Sequence, residues 1–154
     1  MTGVVTARSP RMIGRRMATG FKTCCSERRF VIVIPFGQSY RVRDMSLIMQ
    51  GGKVFQQNCA VCHGAQAQGA PDWQRPDASG KYPPPPLNGT AHSWHHPMKV
   101  LKRVIKQGTA AQGGNMPAWE GKLSDKEIDA VIAWFQNKWP DPLYAAWARR
   151  NATQ

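Results

Sequence analysis

Cys59-Ala60-Val61-Cys62-His63 is the stretch of sequence that decides how the rest of this chain is interpreted. Two thiols that are separated by two residues and followed directly by an imidazole form the motif of covalent haem c attachment. The two sulfur atoms of such a motif add to the haem vinyl groups, and the histidine ring binds the iron on one side. We therefore expect Cys59 and Cys62 to tether one haem c and His63 to be an iron ligand.

A pair of cysteines at this spacing also occurs in zinc sites and in redox dithiols. A zinc site needs a second pair of ligands at a suitable spacing, but Cys24 and Cys25 are adjacent to each other. A thioredoxin-like dithiol belongs to a βαβ context, whereas a helical pattern precedes Cys59. Because a histidine follows the second cysteine directly, the sequence favours haem over both alternatives.

The apolar pattern before the motif predicts a helix over residues 46–58. Its apolar positions recur at spacings of three and four residues, as a helix with one buried face requires. These positions are Leu47, Ile48, Gly51 and Phe55. A glycine inside a helix costs about 1 kcal/mol relative to alanine, so Gly51 predicts the close approach of another helix.

Two further helices are predicted after the motif, and no stretch of residues 45–154 has a convincing strand pattern. The first opens at Pro97 and ends at Gly108. Its expected buried face is Val100, Leu101, Val104 and Ile105, and its expected solvated basic face is Lys99, Lys102, Arg103 and Lys106. The second begins with a capping box at Ser124 and Glu127, buries Ile128, Val131, Ile132 and Phe135, and is stopped by Pro140 and Pro142.

Residues 64–90 form a long connection that is rich in Gly, Pro, Asp and Asn. The run Pro83-Pro84-Pro85-Pro86 predicts extended, polyproline-like backbone. A connection of this length is unusual in a compact domain unless something orders it. Wrapping around a rigid prosthetic group is one way to order it.

Length and composition predict one domain with a basic extension. The 154 residues are 42% hydrophobic and 19% charged, and their net charge is +12. Residues 1–44, with nine Lys or Arg and two Asp or Glu, are predicted as a basic leader, either disordered or a poor targeting segment. The domain is expected to span residues 45–142, and residues 143–154 to form a tail with a short helix. No apolar run reaches the length of a membrane span, and the basic residues form no nucleic-acid-binding motif.

From about Leu47 to Pro140 the chain resembles a class I c-type cytochrome. Beyond the haem motif, the resemblance rests on Gly51 and Phe55 opposite Val131 and Trp134, on Pro85-Pro86-Leu87-Asn88-Gly89, and on Asn115-Met116-Pro117-Ala118-Trp119. It implies an all-α cytochrome c fold, in which three to five helices wrap around one covalently bound haem. The long connection before Pro85 and the stretch Trp94-His95-His96-Pro97 depart from the family pattern.

The same resemblance implies roles for individual residues. The carbonyl of Pro85 is expected to accept a hydrogen bond from His63 and so to orient its ring. Met116 is expected to be the sixth iron ligand, because a thioether on iron needs a loop that reaches over the ring. The other methionine after the motif, Met98, lies on the first turn of a helix. Leu87 and Trp94 are expected to bind the haem.

His92, His95 and His96 leave two interpretations open. His92 and His96 have a spacing that suits a second metal if the segment is helical. Alternatively, His95 and His96 cap the helix that opens at Pro97 or hydrogen-bond a haem propionate, while Trp94 packs on the porphyrin.

A haem iron with both axial positions filled by His63 and Met116 has no open position for a substrate. We therefore expect a single-electron carrier that is not an enzyme. The resemblance implies a periplasmic location, because that is where the family attaches its haem. The alternatives are a haem c subunit of a multi-subunit substrate oxidoreductase and a haem sensor whose Met116 is displaced. The expected partners are redox proteins with an acidic docking face, attracted by Lys99, Lys102 and Lys106. A membrane is expected only if the leader is retained as an anchor, and nucleic acid is not expected.

Overall fold

The computed structural model describes residues 41–153, and this part of the chain is helical with no strand. Its helices are α1 (Met45–Asn58), α2 (Ala60–His63), α3 (Met98–Gln107), α4 (Asp125–Gln136) and α5 (Asp141–Ala152). Two single 3₁₀ turns, Ser93–His95 and Ala110–Gln112, precede and follow α3. The predicted all-α fold is confirmed. Most of the predicted leader, including Cys24 and Cys25, lies outside the described residues.

The core is built on the crossing of α1 and α4. Gly51 is buried at the crossing point, and a side chain there would overlap the carbonyl group of Ala130. One turn further along α1, the fully buried ring of Phe55 lies 4.4 Å from the ring of Trp134, measured between centroids. The predicted close approach of another helix to Gly51 is therefore present, because the backbone of α4 at Ala130 contacts α1 there.

Helix α4 begins as its sequence predicts. The Ser124 hydroxyl accepts a hydrogen bond from the Glu127 N–H at 3.3 Å, and the Glu127 carboxylate accepts one from the Ser124 N–H at 2.8 Å. This reciprocal pair supplies partners for backbone donors that the first turn would otherwise leave free. All four predicted apolar positions of α4 are buried, namely Ile128, Val131, Ile132 and Phe135.

Fewer side chains of α3 are buried than its sequence predicts. Leu101 is buried, but the other members of the predicted buried face, Val100, Val104 and Ile105, are only half-buried. The predicted solvated face is also wrong in part. Lys102 and Lys106 are half-buried and form ion pairs of 2.6 Å with Asp129 and Asp125 of α4. The two helices are thus linked by charge as well as by apolar contact, and one apolar side of α3 stays incompletely covered by the described residues.

The predicted C-terminal tail is a full helix that belongs to the domain. The twelve residues of α5 bury Tyr144, Trp147 and Ala148. The rings of Tyr144 and Trp147 join those of Phe135 and Trp139 in a cluster with centroid distances of 5.4 to 6.5 Å. Helix α4 ends at Gln136, before either proline, and Pro142 occupies the first turn of α5, where a missing N–H costs nothing. Helix α5 therefore packs on the core beyond residue 142, while the predicted limits of the domain stay a prediction.

The N-terminal boundary of the packed domain also differs from the prediction. Asp44 caps α1 by accepting hydrogen bonds from the N–H groups of Ser46 and Leu47. The guanidinium of Arg41 donates to the carbonyl oxygens of Asn137 and Trp139 at 2.9 and 2.6 Å. It also pairs with the Asp141 carboxylate at 3.1 Å. Residues 41–44 therefore pack with the domain and do not belong to a disordered leader.

Across residues 41–153, every helix is too short or too polar to span a lipid bilayer.

Candidate haem site

His63 is the last residue of α2, and its side chain is 8% exposed. Its Nδ1 atom lies 3.0 Å from the carbonyl oxygen of Pro85. Because a carbonyl only accepts, Nδ1 carries the proton of the neutral ring, and Nε2 keeps its lone pair for a metal. Burial lowers the pKa of His63, and the hydrogen bond to Pro85 opposes this shift. The site therefore presents the neutral imidazole that iron requires.

Cys59 and Cys62 are both free thiols, the first half-buried and the second exposed. The turn that contains them is closed by hydrogen bonds from the N–H groups of Cys62 and His63 to the carbonyl of Cys59, at 3.2 and 2.9 Å. Burial, with a smaller contribution from Cys62, raises the pKa of Cys59 to about 11. A redox dithiol is instead typically activated by a cysteine of lowered pKa, and the half-buried position of Cys59 does not provide one.

Backbone hydrogen bonds within the long connection, residues 64–90, position Pro85. The Ala70 N–H donates to the carbonyl of Pro84 at 2.9 Å, and the Leu87 N–H donates to the carbonyl of Ala67 at 2.8 Å. The indole N–H of Trp139 donates to the carbonyl of Leu87 at 2.7 Å. The residues on both sides of Pro85 are therefore held, and the carbonyl that faces His63 is held with them.

Several apolar side chains of the domain are incompletely buried. These half-buried side chains pack against the core while keeping part of their area exposed, and they include Leu87, Trp94, Met98, Ile105 and Leu123. Incompletely buried apolar side chains gain about 25 cal/mol for each Å² that a bound apolar group covers. An imidazole with a free nitrogen, two thiols and incompletely covered apolar side chains are what covalent haem needs, so the residues fit haem c.

Met116 lies in the loop that follows α3. Its N–H donates to the Thr109 hydroxyl at 3.0 Å, and its carbonyl accepts from the Thr109 N–H at 3.0 Å. The Trp119 N–H donates a hydrogen bond to the carbonyl of Ile105 at 3.1 Å, so the whole loop folds back on the end of α3. Met98 lies at the opposite end of this helix, about 15 Å away for ten residues at 1.5 Å each. The two candidate methionines therefore occupy different ends of α3, and Met116 has the loop position.

The histidine segment does not have the predicted helix-capping contacts. The first N–H of α3, that of Met98, donates to the side-chain oxygen of Asn151 at 2.8 Å and not to a histidine. His92 and His96 have ring centroids 5.6 Å apart. Within residues 41–153 no cluster of three or more His, Cys, Asp or Glu side chains has a metal-binding arrangement. The expected capping role of His95 and His96 is therefore wrong, because α5 supplies the cap.

Several residues that organise the site were not identified from the sequence. Trp147 donates its indole N–H to the carbonyl of His96 at 2.9 Å, and Arg150 donates to the carbonyl of Trp94 at 3.2 Å. With Asn151, these side chains tie α5 to the segment from Trp94 to Met98. The sequence feature that could have predicted this helix is the three-residue spacing of Tyr144 and Trp147 after Pro142, since a proline is compatible with the first turn of a helix.

A helical domain with this attachment motif and a buried, oriented imidazole has the features of a c-type cytochrome, and the comparisons with known proteins agree. The chain belongs to the family described as cytochrome c oxidase, cbb3-type, subunit III, whose model matches residues 46–135. As a member of this family it binds haem c covalently.

Similar proteins include oxidase subunits and small cytochromes. The cbb3-type cytochrome c oxidase subunit FixP of Bradyrhizobium sp. (strain ORS 278) is 34% identical over 84 residues, which are 54% of this chain and 25% of that protein. Cytochrome c6 of Leptolyngbya boryana is 32% identical over 93 residues, which are 57% of this chain and 88% of that protein. The chain thus spans about a quarter of the FixP protein and most of the cytochrome c6. No solved structure matches the chain.

Proposed function

We propose that this chain is a single-electron carrier in which Cys59 and Cys62 tether the haem and His63 and Met116 bind the iron. The observation that carries the proposal is the 3.0 Å contact between Nδ1 of His63 and the carbonyl of Pro85 inside a buried site. That contact orients the ring and fixes its tautomer, which is what an axial ligand needs. The bound haem supplies the one-electron iron couple.

In this proposal the residues around the haem have separate roles. Thioether attachment adds each S–H across a vinyl double bond, so no oxidant is needed and no group is released. Leu87 and Trp94 exclude water from the haem faces and edges. The Thr109 contacts hold the backbone of Met116 at the end of α3, and its thioether would be the second protein ligand of the iron. With His63 and Met116 both bound to it, the iron would have no position left for a substrate.

A second candidate function is that of a haem subunit in a larger oxidoreductase. Its support comes from the relatives named as oxidase subunits, of which this chain matches only a quarter to a third of the length. The cytochrome c6 relatives, matched over 85% of their length or more, support the independent carrier. We favour the carrier because the match to the cytochrome c6 relatives spans most of their length. A periplasmic location follows from the place where haem c is attached in bacteria.

The predicted docking role of the α3 lysines needs revision. Lys102 and Lys106 are paired with Asp129 and Asp125, so their charges are locally balanced. Lys99 is exposed, and no acidic partner contacts it within the described residues. The proposal therefore retains a redox protein as the partner but removes Lys102 and Lys106 as its main attraction.

Absorption spectra of the purified protein test the proposed function. We expect a c-type reduced spectrum, a weak long-wavelength band of Met–iron ligation when oxidised, and no carbon monoxide binding at neutral pH. Carbon monoxide binding to the reduced wild type would instead support the sensor with a displaced Met116. Purification under mild conditions separates the other two functions, since a stable second chain would support the oxidoreductase subunit.

A further inference from the structure

Thr109 uses all of its polar groups to close the loop that carries Met116. Its hydroxyl accepts a hydrogen bond from the Met116 N–H at 3.0 Å, and its own N–H donates to the Met116 carbonyl at 3.0 Å. Its carbonyl accepts hydrogen bonds from the N–H groups of Gln112 and Gly114, at 3.0 and 2.8 Å. One residue at the start of the loop therefore makes four hydrogen bonds with residues further along it.

Two glycines permit Thr109 and Met116 to lie this close together. Gly108 has a φ of +68°, a conformation that favours glycine, and a Cβ atom at this position would overlap the Met116 carbonyl. A Cβ atom at Gly114 would overlap the Thr109 hydroxyl. The hydroxyl is therefore enclosed by the turn that it closes, and the pairing leaves no room for a side chain at either glycine.

The backbone of Met116 has few other anchors. Among the described residues, both of its hydrogen bonds are made with Thr109. The residue that follows it, Pro117, has no N–H to donate. Further along the described chain, the next hydrogen bond is that from the Trp119 N–H to the carbonyl of Ile105. The position of the Met116 backbone therefore depends on Thr109 on one side and on Trp119 on the other.

The hydrogen bond between Met116 and the Thr109 hydroxyl is partly shielded from water. Both residues are half-buried, whereas Asn115 and Pro117 beside Met116 are exposed. Water does not fully replace an acceptor that a half-buried N–H has lost, so removing the hydroxyl favours an open loop. The branched Cβ of threonine also restricts χ1, which lowers the freedom that this side chain loses when it accepts the bond. Thr109 therefore stabilises the closed loop.

We propose that Thr109 is a positioning residue that controls how readily Met116 leaves the haem iron. The inference rests on the proposed function, in which the Met116 thioether is the sixth ligand. A ligand that is held at its backbone loses less conformational freedom when it binds, so it binds more tightly and is replaced less easily. A loop closed by Thr109 keeps the sixth position filled, as an electron carrier requires. A loop without this pairing would give the exchangeable sixth position of the sensor alternative.

The test is a spectral titration of the oxidised holoprotein with imidazole, whose nitrogen replaces the Met116 sulfur on the iron without transfer of an electron. Thr109→Val removes the hydroxyl and keeps the branched shape, whereas Thr109→Ser keeps the hydroxyl. Thr153→Val is the matched control, because it removes a hydroxyl that donates to the Arg150 carbonyl at the exposed end of α5. We expect the Kd for imidazole to fall about three- to tenfold in Thr109→Val, the effect of one lost hydrogen bond. Thr109→Ser and Thr153→Val should stay within about twofold of wild type.

Met116→Ala separates this inference from the proposed function. It should bind imidazole about tenfold more tightly than wild type, or tighter still, because no thioether competes for the iron. Adding Thr109→Val to Met116→Ala should then have no further effect. If Met116→Ala binds imidazole no more tightly than wild type, Met116 is not the sixth ligand and the proposed function is contradicted.

The positioning role alone is overturned if Met116→Ala behaves as expected but Thr109→Val keeps the imidazole affinity of wild type. It is also overturned if Thr109→Ser gains as much affinity as Thr109→Val, since the hydroxyl would then not be the group that matters. A gain from Thr109→Val that persists in the Met116→Ala background would have the same consequence. Thr109→Ala removes the same hydroxyl and replaces Thr109→Val in these comparisons if the valine variant does not fold.

Discussion

At the scale of single residues, hydrogen bonds of the protein itself position the residues that bind the haem iron. The protonated Nδ1 of His63 is committed to Pro85, and burial favours the neutral ring. Met116 is held through its backbone by Thr109, which leaves its thioether unconstrained by that contact. The attachment motif alone identifies the proximal side, whereas the distal ligand depends on which end of α3 faces the iron.

Replacing Met116 with alanine tests the distal ligand directly. We expect the Met–iron band to disappear, the reduction potential to fall and carbon monoxide to bind the reduced protein, because a methionine ligand raises the potential and closes the sixth position. Met98→Ala is the control, and it should keep all three properties of the wild type. Loss of the band in Met98→Ala together with its retention in Met116→Ala would reverse the assignment.

At the scale of secondary-structure elements, two contacts between helices organise the domain. The first is the crossing of α1 and α4 at Gly51, and the second is the attachment of α5 to the segment from Trp94 to Met98. The first was predictable, because a glycine inside an otherwise apolar helix face needs an explanation. The second was not, because it depends on side chains more than fifty residues away in the sequence.

Gly51→Ala is expected to destabilise the protein by about 1–3 kcal/mol, the usual cost of forcing an extra group into a packed interior. The added methyl group would meet the backbone of Ala130, which cannot move without shifting α4. Chemical denaturation measures the effect. Gln50→Ala, at the neighbouring exposed position, should change the free energy of unfolding by less than about 0.5 kcal/mol. Equal stabilities for the two variants would contradict the close crossing.

Asn151→Ala is expected to cost about 1 kcal/mol, because it leaves the first N–H of α3 without its acceptor. Hydrogen exchange at the Met98 amide should become faster in the same variant. Asn151→Asp keeps an acceptor oxygen and places a negative charge at the N-terminus of α3, where the helix dipole favours it. This second variant should retain slow exchange. If exchange at Met98 is as slow in Asn151→Ala as in wild type, the capping role of α5 is wrong.

At the scale of the whole molecule, the sequence defined the helices better than the limits of the domain. The periodicity of α1 and α4 and the capping box at Ser124 and Glu127 were sufficient to predict those helices. The full length of α5 was missed because Pro142 is compatible both with stopping a helix and with starting one. The packing of Arg41 was missed because it was counted as one more charge of a basic leader, although its partners Asn137, Trp139 and Asp141 are about a hundred residues away.

Arg41→Ala tests whether the domain begins before α1. The side chain is 11% exposed and makes hydrogen bonds to two carbonyl groups in addition to its ion pair with Asp141. Hydrogen bonds that involve a charged group contribute about 1.5–3 kcal/mol, so the variant should be less stable by about 2 kcal/mol. Arg43→Ala is exposed and serves as the control in thermal unfolding. A melting temperature that falls equally in both variants would argue against a specific role for Arg41.

The central claim is that one haem is bound covalently through Cys59 and Cys62, with His63 beside it on the iron. Peptide mapping by mass spectrometry tests this claim most directly, after the protein has been unfolded and digested. The account predicts that the peptide containing Cys59 and Cys62 carries the mass of one haem and that Cys59→Ala/Cys62→Ala lacks it. A wild-type peptide without haem, or haem attached to another cysteine, would contradict the account.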